Sequence, residues 1–177
     1  ADQLSADRLS LNLHAQQAPG ADVLVTNDTL VYDAWNHLYS VDMERTKGKL
    51  VIQATNLPKG ITASRKSVDG LFGKVNSSFG YADTVSVSTS NIWDSPAEIL
   101  TKTILAPSVK KDASLLSLNF DAHNDGKDIM LTPKEVSITM KRNELTLLRY
   151  AYDDGGDFTI YMLVNDNWEV VHGLELD

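Results

Sequence analysis

From Leu50 onward the apolar residues of this chain recur at every second position, in short runs bounded by turn-forming residues. Leu50, Ile52 and Ala54 share one side of "KLVIQATNL"; Leu116, Leu118 and Phe120 share one side of "SLLSLNFDA"; Val136, Ile138 and Met140 do the same in "EVSITMK". "TVSVSTS" alternates Val85 and Val87 with serines. A repeat of two is that of a strand with one side in a core, and a helix of 3.6 residues per turn has no use for it. Punctuation falls between the runs. Pro58 and Gly60 mark one turn, and "DDGG" between "ELTLLRYAY" and "DFTIYMLV" is a hairpin signal. Three glycines in "DGLFGKVNSSFGYAD" predict bends or bulges. Further β-rich segments are Val23–Val25, Leu30–Tyr32, "WNHLYSVDM" and, after "NDN", "WEVVHGLEL". About ten strands at this spacing predict an all-β protein, an antiparallel β-sandwich. A single helical segment is expected in "DSPAEILTKTIL": Asp94 or Ser95 as N-cap, Pro96 at the first helical position, and Ile99, Leu100, Thr103 and Ile104 on one face.

Length and composition narrow the function classes. The 177 residues suffice for one domain with a real core. No cysteine is present, which removes disulfides, thiolate metal sites and cysteine nucleophiles. The net charge is −8, and no Lys or Arg follows Arg149, while Asp153, Asp154, Asp157, Asp166, Glu169, Glu175 and Asp177 do. Nucleic acid is not an expected partner, because phosphates require a basic footprint. No apolar run approaches the length of a membrane span. The chain opens on Ala1, as after removal of a signal peptide or of an initiator methionine, and export is the expectation.

Motifs for catalysis are lacking. No G-x-S-x-G elbow, P-loop or G-x-G-x-x-G occurs, so a non-enzymatic role with no cofactor is expected. His14, His37, His123 and His172 have no zinc-like spacing and are read as surface or satisfied polar positions. "DAHNDGKD" resembles the start of a calcium loop, which makes Asp121, Asp125 and Asp128 a weak candidate metal site. Thr132 stands where such a loop needs a bidentate Glu, so a polar turn between strands is the preferred assignment. Trp35, Trp93 and Trp168 are candidates for core packing or for stacking on a sugar.

The segment that raises a functional question is the first, "DRLSLNLHAQ". Leu9, Leu11, Leu13 and Ala15 fall on one side and Ser10, Asn12 and His14 on the other. The strand either pairs within its own domain or adds to the sheet of a neighbouring subunit. Addition gives main-chain hydrogen bonds for affinity and side-chain pockets for specificity. Three leucines and an alanine entering a groove are worth roughly 5–9 kcal/mol gross, less the ordering of the segment.

This layout resembles the cysteine-free chaperone–usher pilins of the colonisation-factor type. The resemblance rests on "DRLSLNLHAQQAPGA", "LVIQATNLPKGITAS" and "SLLSLNFDAHNDGKDIMLTPKEVSITM". It implies an immunoglobulin-like sandwich over residues 20–177 preceded by a donor-strand arm at 1–19. It also implies head-to-tail self-polymerisation, with Leu9, Leu11, Leu13 and Ala15 inserted into the next subunit. A periplasmic chaperone and an outer-membrane usher would be the assembly partners, and an extracellular fimbrium serving adhesion the destination. The chain departs from that family after "EVSITM", where a β-hairpin extension and a further strand follow. Two other classes fit the residues. One is a structural protein of a virus or phage, located in the virion. The other is a secreted module that binds carbohydrate or calcium.

Overall fold

The computed structural model describes residues 10–28, 30–31, 33–35 and 38–165. Expectations at Leu9, Tyr32, His37, Trp168, His172 and the segment "WEVVHGLEL" lie outside those residues. Among the described residues are twelve strands: β1 (Ser10–Asn12), β2 (Leu24–Val25), β3 (Glu44–Arg45), β4 (Gly48–Thr55), β5 (Ile61–Asn76), β6 (Tyr81–Ile92), β7 (Ile99–Leu105), β8 (Ser114–Asn124), β9 (Lys127–Leu131), β10 (Val136–Ile138), β11 (Leu145–Tyr152) and β12 (Phe158–Asn165). A 3₁₀ turn at Ala15–Gln17 follows β1.

The strands form two main sheets. One is six-stranded, with the path β1-β5-β8-β10, β6 on the other edge of β5 and β9 alongside β8; the other is four-stranded in the order β12-β11-β4-β7. A small β2-β3 ribbon stands apart. Leu50, Ile52 and Ala54 of β4 and Leu148 and Tyr150 of β11 join Val68, Leu71 and Val75 of β5 and Leu116, Leu118 and Phe120 of β8 in one buried cluster. The inward set of β8 is the one its alternation predicts. Each large side chain buried there is worth about 1.5–3 kcal/mol.

The all-β sandwich expected from the sequence is therefore what the chain forms, with one pairing of different sense. β4 and β11 run parallel, Leu148 opposite Ile52 and Tyr150 opposite Ala54. A parallel pair needs a long crossover rather than a hairpin, and here residues 56–144 supply it. The "DDGG" hairpin forms between β11 and β12, with Asp153 Oδ1 accepting from Gly155 N and Asp157 N. It is part of the sandwich itself, since β11 lies between β12 and β4 and buries Leu148 and Tyr150.

Two local expectations are corrected. "DSPAEILTKTIL" contains no described helix: Ile99–Leu105 is strand β7, antiparallel to β4. Ile99, Thr103 and Leu105 alternate into the interior, and β-branched residues favour that arrangement once a partner strand is present. Ser95, expected as a helix cap, instead accepts a hydrogen bond at Oγ from Gly60 N, 2.8 Å away, and so braces the Pro58–Gly60 turn. "WNHLYSVDM" forms no described strand, and Trp35 is 92% exposed.

β5 is sixteen residues long and bends twice. Its register slips against β8 between Ile61 and Ala63, and against β6 between Val68 and Leu71. Each extra residue switches which side faces inward. The buried positions accordingly run Ser64, Lys66, Val68 and then Leu71, Gly73, Val75. Gly70 sits in the second bulge at φ +67°, and a Cβ there would lie 2.4 Å from Ala113 O. Gly126, in the β8–β9 turn, has φ +73° with nothing within 4 Å of its would-be Cβ. Gly70→Ala is therefore expected to destabilise the fold by about 2–3 kcal/mol. Gly126→Ala should cost only the left-handed strain, about 1 kcal/mol. Urea unfolding midpoints of the two variants check this; equal shifts would refute the steric account of the bulge.

Candidate functional site: the first strand and its clasp

β1 occupies a gap along β5. The β5 edge opposite β6 pairs with β8 from Ile61 to Val68. Val109 N and Phe72 N then bond across to Gly70 O and Pro107 O. β1 completes the edge, with Ser10, Leu11 and Asn12 opposite Asn76, Val75 and Lys74. Leu13 N donates to Gly73 O at 2.8 Å, which extends the ladder by one bond. The pairing is within the chain, one of the two options the sequence left open. Residues 10–13 thus share a sheet with the segment assigned to the sandwich at 20–177.

The four residues of the apolar side fare differently. Leu13 is 2% exposed and belongs to the main core. Leu11 is 43% exposed, and Ala15 is exposed in the 3₁₀ turn. Leu9 lies outside the described residues. The alternation ends at Leu13 because the chain turns there, with Gln16 at φ 55° and Gln17 at φ 60°.

Two buried polar side chains hold the turn. The Lys47 side chain donates from Nζ to Leu13 O at 2.6 Å and to Pro19 O at 3.1 Å. Burial pushes its amine down to about 8, opposed by the carboxylate of Asp22. Gly20 admits this approach, as a Cβ there would lie 3.1 Å from Lys47 Nζ. His14 accepts at Nε2 from Ala106 N, 2.9 Å away. That nitrogen must then carry the lone pair, so Nδ1 carries the proton and donates to Ala18 O at 2.9 Å. Only the neutral ring can make both bonds. Burial lowers its pKa below the ordinary 6.5, the Ala18 carbonyl raises it, and the Lys47 charge lowers it further. The sequence left His14 either at the surface or as a satisfied polar position, and the structure buries it with both ring nitrogens bonded; Lys47 carried no signal, since nothing in a lysine's neighbours along the chain marks it for burial.

The weak metal candidate is not assembled. Both carboxylate oxygens of Asp121 are taken by the Arg65 guanidinium at 2.7 and 2.8 Å. Asp128 pairs with His123 Nδ1 at 2.7 Å, and Asp125 forms the left-handed corner of the β8–β9 turn. Among the described residues no three potential ligands come together. No described helix is long and apolar enough to cross a membrane.

No protein-family model matches the sequence, and no curated protein matches it. Solved structures do. A candidate cell adhesion protein from Bacteroides uniformis ATCC 8492 aligns with a TM-score of 0.57 at 11% identity, over 94% of this chain and 68% of that one. A candidate cell adhesion protein from Bacteroides ovatus ATCC 8483 gives 0.46 at 13% identity, over 73% and 48%. The tip fimbrial protein Mfa3 from Porphyromonas gingivalis, with a C-terminal truncation, gives 0.44 at 8% identity, over 70% and 52%. The chain spans about half the length of the latter two. At such identities the likeness is one of fold, and the Bacteroides uniformis structure is the one that carries it.

The His14 clasp makes a pH prediction. The folded chain binds the imidazole proton less tightly than the unfolded chain does. Its contribution is therefore complete above pH 6.5 and falls as the pH drops through the lowered native value. Amide-exchange protection factors at Leu13 and Ala106 should decrease severalfold between pH 7.5 and pH 5. His14→Gln should flatten that dependence. Unchanged protection across the range would contradict the neutral-ring assignment.

Proposed function

We propose that this chain is a non-catalytic subunit of an extracellular adhesive fibre, and that its first strand is the exchangeable element. Two observations support this. The chain shares its fold, over 94% of its length, with a candidate cell adhesion protein. The observation that carries the reading is the geometry of β1, a three-residue strand filling a gap in the β5 edge, with Leu13 seated in the core behind it.

Every copy of the chain carries both the strand and the slot. The short cis pairing found in one chain is then a closed form of a contact that can also be made between chains. Exchange of β1 into the slot of the next copy is heterologous, and such contacts propagate without closing. Leu13, and Leu9, Leu11 and Ala15 around it, are the side chains this exchange would carry over. In the pathway implied by the pilin-like layout, a periplasmic chaperone and an outer-membrane usher keep strand and slot apart until assembly, and the fimbrium is extracellular.

The test uses a chain lacking residues 1–19 together with a synthetic Asp7–Gln16 peptide. The truncated chain should melt at a lower temperature than the full chain, and the peptide should restore the loss in proportion to its concentration. A peptide carrying Leu13→Asp should not. Negative-stain images of concentrated full-length protein should show linear assemblies. A truncated chain indifferent to the peptide, or full-length material that stays monomeric at every concentration and pH, overturns the proposal.

A further inference from the structure

A second feature lies where the sandwich opens between its edge strands β6 and β7, with Pro19 from the turn after β1 at its rim. A depression of about 400 Å³ enters there, and Lys66, Thr89, Asn91, Trp93, Thr101 and Lys102 are among its walls. A niche behind it, lined by Lys66, Thr89, Asn91 and Thr101 together with apolar core residues such as Ile52 and Phe120, has room for about one water molecule or one carboxylate oxygen.

The chemistry of this mouth is unusual for an interior. Lys66 is 8% exposed, and its ammonium donates to Thr103 Oγ1 at 2.5 Å and Thr101 Oγ1 at 3.3 Å. An ammonium has three donors, and among the described residues no carboxylate is bonded to this one. Burial alone pushes its amine down to about 8. A buried cation without a counter-charge is unfavourable, and so is a buried hydroxyl without a partner. Thr89 sits directly across the β5–β6 ladder from Lys66, and its Oγ1 is buried with no hydrogen-bond partner. Both deficits face one small space. Lys102 adds a second cation at the rim, and neither Asp nor Glu lines the depression, in a chain whose net charge is −8. Trp93 is held at the mouth by its Nε1, which donates to Ser64 Oγ at 2.8 Å.

We propose that the mouth between β6 and β7 binds an acidic sugar, with the sugar carboxylate on Lys66 and Thr89 and the ring against Trp93. A carboxylate supplies the acceptor and the charge the lysine lacks, and accepts from the idle Thr89 hydroxyl. A sugar rather than an acidic peptide is indicated by the remaining walls. Asn91, Ser90 and Thr101 offer amide and hydroxyl groups, and the indole offers an apolar plate, which match ring hydroxyls and a ring face.

The full chain is titrated with methyl glucuronide, with N-acetylneuraminic acid, with methyl glucoside, with acetate and with a tetra-aspartate peptide, followed by amide and indole NMR shifts. At least one of the two acidic sugars should shift Thr89, Asn91 and the Trp93 indole, at least tenfold tighter than methyl glucoside or acetate. Lys66→Met keeps the stem volume, removes the charge, and should abolish the effect while the fold persists. Thr89→Val should weaken binding severalfold. Affinity should fall as the pH rises past 8. The proposal is overturned if neither acidic sugar shifts these residues, if Lys66→Met binds as well as the parent chain, or if acetate or the peptide binds as tightly as the sugars.

Discussion

Pairing along both edges of β5 is the constraint on which the rest of this fold depends. One edge carries β6 from Ala63 to Val75. The other is shared in turn by β8, the Pro107–Val109 connection and β1. An unpaired backbone edge in a long strand invites other strands to add to it, so whatever fills its last segment decides how open the molecule is to association. The two bulges make this sharing possible. By switching the inward side at Ile61–Ala63 and Val68–Leu71, they let one strand cover the core at both ends while bending around it. Gly70 is the residue that permits the second bulge without collision.

The buried polar groups divide by how they are satisfied. Lys47 is fully buried, yet two carbonyls accept from it, and it acts as a tie between β1, the Pro19 turn and the start of β4. His14 ties the same turn to Ala106 through both ring nitrogens. Among the described residues Lys66 has only hydroxyl partners, beside a threonine hydroxyl with none. A charge held by carbonyl dipoles is a fastening, whereas an ammonium bonded to hydroxyls at an open mouth is the group that the proposed sugar carboxylate would pair with. The same residue type thus closes the molecule at one place and leaves it receptive at another.

Strong alternation was readable wherever both sequence neighbours and partner strands agreed. Leu116, Leu118 and Phe120 pointed inward as their spacing requires, and the "DDGG" hairpin formed where its turn residues stand. "DSPAEILTKTIL" misled because cap-like residues precede a β-branched run. The hydrogen-bonding edge of β4, distant in sequence, outweighed the local cap signal. "WNHLYSVDM" misled in the opposite way, since its aromatic and branched residues suggest a strand that finds no described partner and leaves Trp35 in solvent.

By itself the sequence determined the class of the fold. A repeat of two, broken by Gly, Pro and Asp-rich turns, admits only strands, and 177 residues without cysteine must bury them against one another. Tertiary structure alone decided which edges pair, that β4 and β11 run parallel, and that Leu13 rather than Leu11 or Ala15 enters the core. It also decided that His14 and Lys47 meet at one turn and that Lys66 and Thr89 face one niche. The reason is physical. Alternation is a property of neighbours along the chain, whereas burial, hydrogen-bond satisfaction and shifted ionisation depend on groups dozens of residues apart, which only the packed sheets bring within reach.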